Sequence, residues 1–537
     1  MIRKLSVFLT IFVILSTFAC IVPSMWYLRQ GDAYCKLGRW NDALVEYNKS
    51  IELDQSYATA YYKRGQLYLH NGDYDKAIAD FAKTIDLDPR QAMYYQSRGK
   101  AYYSIGKYTA AIGDFTKEIE FDPDNSDAYY RRGKAYDHNG DYELAIIDFD
   151  KTLMLAPMFS NIFIEQGNVC LDKGDYEAAI AYYQKHVSLY PNDGEIYSKL
   201  GLLYKQKGEY DDALINYTRA IQSDPGNIEM YKNRGQVYMN TGNYDSAIAD
   251  FSKAIELDPN YTIAYYLRGV SYSDKIIKLN SNDVLYFPVD YLNIQGPYGR
   301  AIADFSKAIE LDPNYIVAYN ARGALYADTA RYELAIADFI KVITINSNYA
   351  PVYYSRGKVY YAQGKYDLAI ADFTKAIELD MEYTKAYYER GRVYYAQGTY
   401  NLAIADFTKA IELDVEYSKA YYERGTSYRK IGRKDKAEAD YDKAIKLDPN
   451  NSNFYSKRGS LYLSTRKYDK AIEDYTKSIE LSPTNADAYY GRGRAYYYKM
   501  DQEKATADFN KAIELDPAFA DLLKSIGLDE VSDIAEP

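Results

Sequence analysis

Hydrophobic and polar positions along this chain follow a helical period, not the alternation of a strand. Aromatic, glycine and aromatic recur at steps of four and three, as at Tyr61, Gly65 and Tyr68, which puts them on one helical face. A second face follows, with Ala and then an aromatic residue four later, as at Ala77 and Phe81. A turn centred on Gly-x-Tyr (Gly72-Asp73-Tyr74, Gly364-Lys365-Tyr366) separates the two faces, and Asp88-Pro89 ends the second. The spacing therefore predicts pairs of helices joined by a short turn. A glycine inside a helix costs about 1 kcal/mol relative to alanine. Its recurrence implies that a second helix approaches closely there, with the small Ala as its opposite number.

The pattern has a fixed period. Gly31, Gly65, Gly99, Gly133, Gly167, Gly201, Gly235 and Gly269 are each 34 residues apart. Gly323 comes 54 later, which is 34 plus an insertion of 20, and Gly357, Gly391, Gly425, Gly459 and Gly493 resume the step. Allowing for that insertion after Gly269, an Ala lies twelve after each glycine from Ala43 to Ala505, and Phe or Tyr lies sixteen after. One such unit cannot bury its apolar face alone, so units must stack on their neighbours. These offsets resemble those of the tetratricopeptide repeat family, with Gly, Tyr, Ala, Phe and Pro in a 34-residue unit. The resemblance implies an all-α, right-handed superhelical solenoid of fourteen helix–turn–helix repeats over residues 24–519. The chain departs from the family in carrying Arg where Leu usually precedes the glycine, and Tyr where the first aromatic is usually Trp. Phe519 to Gly527 reads as a final helix covering the last repeat, within a C-terminal cap and tail at 520–537.

Repeats five and six break a second pattern. Arg precedes the glycine at Arg64, Arg98, Arg132 and Arg234, and Asp precedes the second-helix aromatic at Asp80, Asp114, Asp148 and Asp250. In repeat five these positions hold Gln166 and Tyr182, and in repeat six Leu200 and Asn216. Because both sites change together, they are expected to pair between the helices.

Composition narrows the function. The 65 Tyr against 18 Phe and 2 Trp mark a copied, tyrosine-bearing unit. A net charge of −11 and a pI near 5.1 argue against a nucleic-acid partner, which needs a basic footprint. Three Cys cannot make a disulfide framework. Arg3 and Lys4 precede Leu5 to Val22, which carries no charge, so residues 1–23 read as an N-terminal membrane-anchor helix with the repeats extracytoplasmic. Two alternatives stand beside it: cleavage after Ala19 with a lipid on Cys20, or a secreted form.

Catalytic chemistry finds little to work with. His70, His138 and His186 are scattered, Cys35 and Cys170 occupy packing positions, and the glycines belong to the repeat. No enzyme, metal or cofactor is expected. The informative surface is the other stripe of the first helix, which the family resemblance places on the concave, partner-binding groove. It reads Tyr130-Lys134, Tyr354-Lys358-Tyr361, Tyr388-Arg392-Tyr395, Tyr422-Thr426-Arg429 and Tyr490-Arg494-Tyr497, with Lys100-Tyr103 continuing the theme. Cations set between tyrosines suit extended, acidic peptide segments. The competing reading is that the rings pack between repeats and the cations only solubilise. A family groove that grips chaperone C-termini does not carry over: Lys232 matches one site, but Gln236, Leu267 and Ile164 do not. The insertion at about 276–295 in repeat eight carries Tyr286-Phe287-Pro288 and reads as a binding loop or as a loop packed on its own repeat. The whole points to a membrane-tethered protein-interaction scaffold, or alternatively to a module positioning substrates for a transferase on another chain. Neither requires nor excludes self-association.

Overall fold

The computed structural model describes residues 23–159, 161–282 and 296–525, and among them every regular element is a helix. The chain divides into two compact units, Met1–Thr241 and Gly242–Pro537. The first unit alternates first helices such as Ala58–His70, Ala92–Ser104 and Ser126–Asn139 with second helices Tyr74–Leu87, Tyr108–Phe121 and Tyr142–Leu155. The second unit repeats the arrangement, for example Ala350–Ala362 with Tyr366–Leu379, and Thr384–Ala396 with Tyr400–Leu413.

The repeat glycine is where the two helices of a pair meet. A Cβ built on Gly391 would stand 2.7 Å from Cε1 of Phe407, and one on Gly65 the same distance from Phe81. Phe81 and Phe407 are fully buried, as are the alanines one turn earlier, Ala77 and Ala403. The second recurrent glycine closes the turn in the left-handed region, as at Gly72 (φ 80°) and Gly398 (φ 78°). Ala330, Arg466 and Met500 take that conformation at φ 57°, 60° and 65° with a side chain in place.

The expected Arg–Asp pairing holds, and it is part of a larger node. Arg390 donates from Nε and Nη2 to both carboxylate oxygens of Asp406 at 2.8 Å, bridging the two helices of its repeat. Its Nη1 donates to Thr374 Oγ1 at 2.9 Å, on the second helix of the preceding repeat. The guanidinium also lies 5.7 Å and 6.0 Å from the ring centres of Tyr387 and Tyr394. Arg132 repeats the set with Asp148, Thr116, Tyr129 and Tyr136. Planar forks of this kind are the strongest side-chain ion pairs, and aromatic faces add cation–π attraction. The Asp114 hydrogen bond outweighs burial in holding Arg98 above the usual guanidinium value.

Repeats five and six show what replaces the node. Gln166 keeps only the link backwards, donating to Asp150 at 2.7 Å, while Phe163 and Cys170 stand where the flanking tyrosines would be. Leu200 is buried, and Asn216 turns back on its own helix to bond the Asp212 carbonyl. Apolar packing fills the space, in a cluster of Cys170, Tyr183, Leu200, Leu203 and Tyr217.

One expectation is corrected. Among the described residues no helix is long and apolar enough to cross a membrane, so a single N-terminal anchor, with the repeats on the far side, lacks support. A span needs about twenty predominantly apolar residues. Most helices here have 12–15 residues and place charges every few positions, and the longest, Thr262–Asn282, contains Arg268, Asp274 and Lys275. The stretch from Leu5 to Val22, with Cys20, lies outside the described residues. Thr262–Asn282 also carries the first helix of repeat eight into the insertion, whose residues 283–295 lie outside the described set. At the other end, Ala518–Ser525 forms a short helix that buries Leu523 against Ala505 and Phe509.

Two stability experiments follow. Replacing Arg390 or Asp406 singly by Leu is expected to cost about 3 kcal/mol, because the partner is left buried and unpaired. The double variant should lose clearly less than the sum of the two; additive losses would show that the pair is not coupled. Second, Gly391→Ala should destabilise by about 1–3 kcal/mol through overpacking against Phe407. Gly113→Ala, on an open helix face with nothing within 4 Å, should stabilise by about 0.5–1 kcal/mol. Urea unfolding followed by circular dichroism reads both, and equal effects at the two glycines would contradict the close-approach explanation.

Candidate functional site

The stripe on the first helices divides into two kinds of residue. The leading tyrosine of each set is wedged between repeats. Tyr130, Tyr354, Tyr388, Tyr422 and Tyr490 lie 5.8–6.1 Å from the second-helix ring of their own repeat: Phe149, Phe373, Phe407, Tyr441 and Phe509. On the other side each meets a ring leading into or starting the following element, Phe159, Tyr383, Tyr417, Phe454 and Phe519, at 5.0–5.2 Å. Aromatic pairs at such separations add about 0.5–1.5 kcal/mol beyond their buried area. These five rings are therefore packing elements whatever else they do.

The cations and trailing tyrosines are differently placed. Lys134, Lys358, Arg392 and Arg494 lie 5.7–6.0 Å from the leading rings of Tyr130, Tyr354, Tyr388 and Tyr490. Arg392 also reaches back to the Tyr361 ring at 5.2 Å, joining repeats ten and eleven, and pairs with Glu389 at 2.8 Å. Arg429 reaches forward to Ser460 Oγ at 3.0 Å. Tyr361, Tyr395 and Tyr497 are half-buried, with Tyr366, Tyr400 and Tyr498 as ring neighbours. The structure thus links Tyr361 to Arg392 across a repeat boundary. Tyr130 and Lys134 belong to the first unit, and their shared partner is Glu165, at 2.7 Å and 3.5 Å.

Recesses open along this stripe in both units. In the second unit a cavity of about 180 Å³ is lined by Ala324, Ala327, Tyr354, Lys358 and Ala362, where repeat nine carries alanines in place of bulky stripe residues. In the first unit one of about 380 Å³ is lined by Leu69, Lys100, Tyr103, Phe115, Arg131 and Lys134.

Charges one position beyond the leading tyrosine escaped the sequence reasoning. Arg131, Glu165 and Lys199 succeed one another at that offset in repeats four to six, and Glu389, Glu423 and Lys457 in repeats eleven to thirteen. Burial raises the Glu423 carboxyl above the usual range, against the pull of Arg392. The signal was present as charge recurring at the 34-residue step. The histidines stay apart: His70 packs on Trp40, His138 stacks on Tyr108, and His186 bonds Asp193. Among the described residues no cluster of His, Cys, Asp or Glu is arranged to hold a metal.

Comparison with known proteins agrees with this architecture. Family models described as TPR repeat match residues 31–72, 99–140, 167–208, 201–242, 290–329, 331–364, 357–398, 391–432 and 459–500. Models described as tetratricopeptide repeat match 58–91, 126–159, 228–261, 418–451 and 486–519, and a further one 440–473. No curated protein matches the chain. Similar solved structures include YrrB, a TPR protein with an unusual peptide-binding site, at 30% identity over 33% of this chain and 92% of that one, TM-score 0.30. MamA is 32% identical over 31% of this chain and 96% of its own, TM-score 0.29. Yeast Tom70 is 21% identical over 89% and 96%, TM-score 0.37. With TM-scores this low, none of the three bears on partner or activity here.

The wedged tyrosines carry a pH signature. Burial pushes the Tyr383 and Tyr417 hydroxyls from 10.0 up to about 12, and raises Tyr354 and Tyr388 as well. A raised folded value favours the neutral form in the native state, so this stability is fully present below pH 10.0 and is lost as pH rises towards about 12. A fraction of the tyrosinate absorbance should then be withheld until helical signal is lost. Complete ionisation of the tyrosines with helicity intact would contradict the packing role.

Proposed function

The chain belongs to the tetratricopeptide repeat family, and from that premise we propose that it is an interaction scaffold that holds extended segments of partner proteins along its first-helix stripe. The fold itself implies protein partners; the location of the groove is our inference. The observation that carries it is the division within the stripe. Leading tyrosines are committed to packing, whereas Lys358, Tyr361, Arg392 and Tyr395 retain accessible surface and continue from one repeat into the next. A half-buried tyrosine offers contact area at low entropy cost, and an arginine offers bidentate hydrogen bonds to carboxylates. The adjoining alanine-lined recess gives a side chain of the partner somewhere to insert. Many modest contacts in a row then sum by avidity.

The test uses residues other than the wedged leading tyrosines. A Lys358→Glu, Tyr361→Ala, Tyr395→Ala variant should keep the helicity and melting temperature of the parent within a few degrees. In crosslinked capture from cells its specific partners should fall by about tenfold or more, as loss of central contact residues does. Unchanged capture by a folded variant would move the binding surface away from this stripe.

A further inference from the structure

We propose that the outward face of the second helices of repeats four and five, Tyr142–Leu155 and Tyr176–Leu189, receives an amphipathic helix of a partner, apolar on one face and basic along one edge. This surface belongs to the second helices, so it is separate from the first-helix stripe and does not depend on the reading of that stripe. Many second helices close their outward row with a salt bridge three residues apart, as at Lys117–Glu120 (2.6 Å) and Lys375–Glu378 (3.2 Å). Repeat four carries Met154 in place of that acid, and Leu144, Ile147 and Met154 follow at helical steps of three and seven, on one stripe. Ile147, Met154 and Met158 are 59%, 74% and 90% exposed, and Leu144 is exposed as well. The lysine of this row, Lys151, leans on the Tyr129 ring of its own first helix, 6.0 Å from the ring centre. Contiguous apolar surface of this kind marks a contact face.

The relief and the charge of the face describe its occupant. Repeat five has Ala181 and Ser188 where repeat four has Ile147 and Met154, so a bulky row lies next to a shallow one, with Leu189 exposed at its end. A helix packs its own ridge into relief of this form, and methionine adapts to the ridge it meets. The Ser188 hydroxyl already donates to the Lys185 carbonyl at 2.7 Å, so covering it strands no polar group. A partner strand would find no unpaired backbone here, because both elements are helices. Glu143 and Asp150 border the stripe on the side of repeat five: Glu143 accepts from Lys173 and Asp150 from Gln166, each at 2.7 Å, and both donors lie on the first helix of that repeat. Both carboxylates are exposed, and Gln166 brings no charge to Asp150, so this border stays negative. An apolar stripe with a negative border suits a helix whose own apolar stripe is edged with Lys or Arg.

Two stapled helical peptides test this, identical in an apolar face of Leu and Ala and differing only in an edge of Lys or of Glu. Binding to the full chain is followed by fluorescence anisotropy. The Lys-edged peptide should saturate, and should bind about tenfold or more tighter than its Glu-edged counterpart. Ile147→Ser, Met154→Ser should weaken it about tenfold with helicity unchanged, as both side chains reach solvent. Glu143→Gln, Asp150→Asn should remove most of the preference for the basic edge. The Lys358→Glu, Tyr361→Ala, Tyr395→Ala variant should bind the peptide as the parent does. Absence of saturable binding, equal affinity for the two peptides, or binding untouched by the Ile147 and Met154 changes overturns the proposal. Loss of binding in the Lys358, Tyr361 and Tyr395 variant alone also overturns it, since the peptide would then occupy the first-helix stripe.

Discussion

Most arginines that precede a repeat glycine meet several neighbours at once: both oxygens of an aspartate on the second helix of the repeat, tyrosine rings on their own first helix and, where one is available, an acceptor on the preceding repeat. At Arg390 these are Asp406, Tyr387, Tyr394 and Thr374. The node sits beside the glycine, where the helices approach so closely that even a methyl group would collide with Phe407. Close approach brings the fork within reach, and the fork holds the register that the close approach needs. The abundance of tyrosine follows in part, since two rings per repeat flank the guanidinium and many repeats add a third wedged against the next.

Much of this architecture was legible in the sequence because it is written in copies. The period, the helix pairs and the close approach at the glycine follow from offsets that recur. The Arg–Asp contact was legible for the opposite reason: Gln166 with Tyr182, and Leu200 with Asn216, break it at both ends together. The flanking tyrosines were not legible that way: repeat five loses them with its arginine, as Phe163 and Cys170, but repeat six keeps Tyr197 and Tyr204 beside Leu200. A charge-free run of residues near the N-terminus suggested a membrane helix, but the described helices alternate charge and apolar surface and none can span a bilayer.

The candidate site was harder to see. On one helix, a ring that packs on the next repeat and a ring left accessible lie on the same stripe, two turns apart. Only the positions of Phe373 and Tyr383 around Tyr354 show that the leading ring is wedged. Once those rings are assigned to packing, what remains accessible is a row of cations and trailing tyrosines, with recesses where alanines or gaps replace bulk. On the proposed reading, cations on one such row favour acidic segments, which the remaining acidic surface repels.

The most direct test of this account places a photocrosslinking amino acid at single positions of the full chain. Lys358 samples the first-helix stripe, and Leu368 and Leu402, at 49% and 51% exposure, sample the second helices. Partner adducts from position 358 and none from 368 or 402 are the predicted result. Adducts from the second-helix positions with none from 358 would contradict it and move the binding surface to the opposite helices.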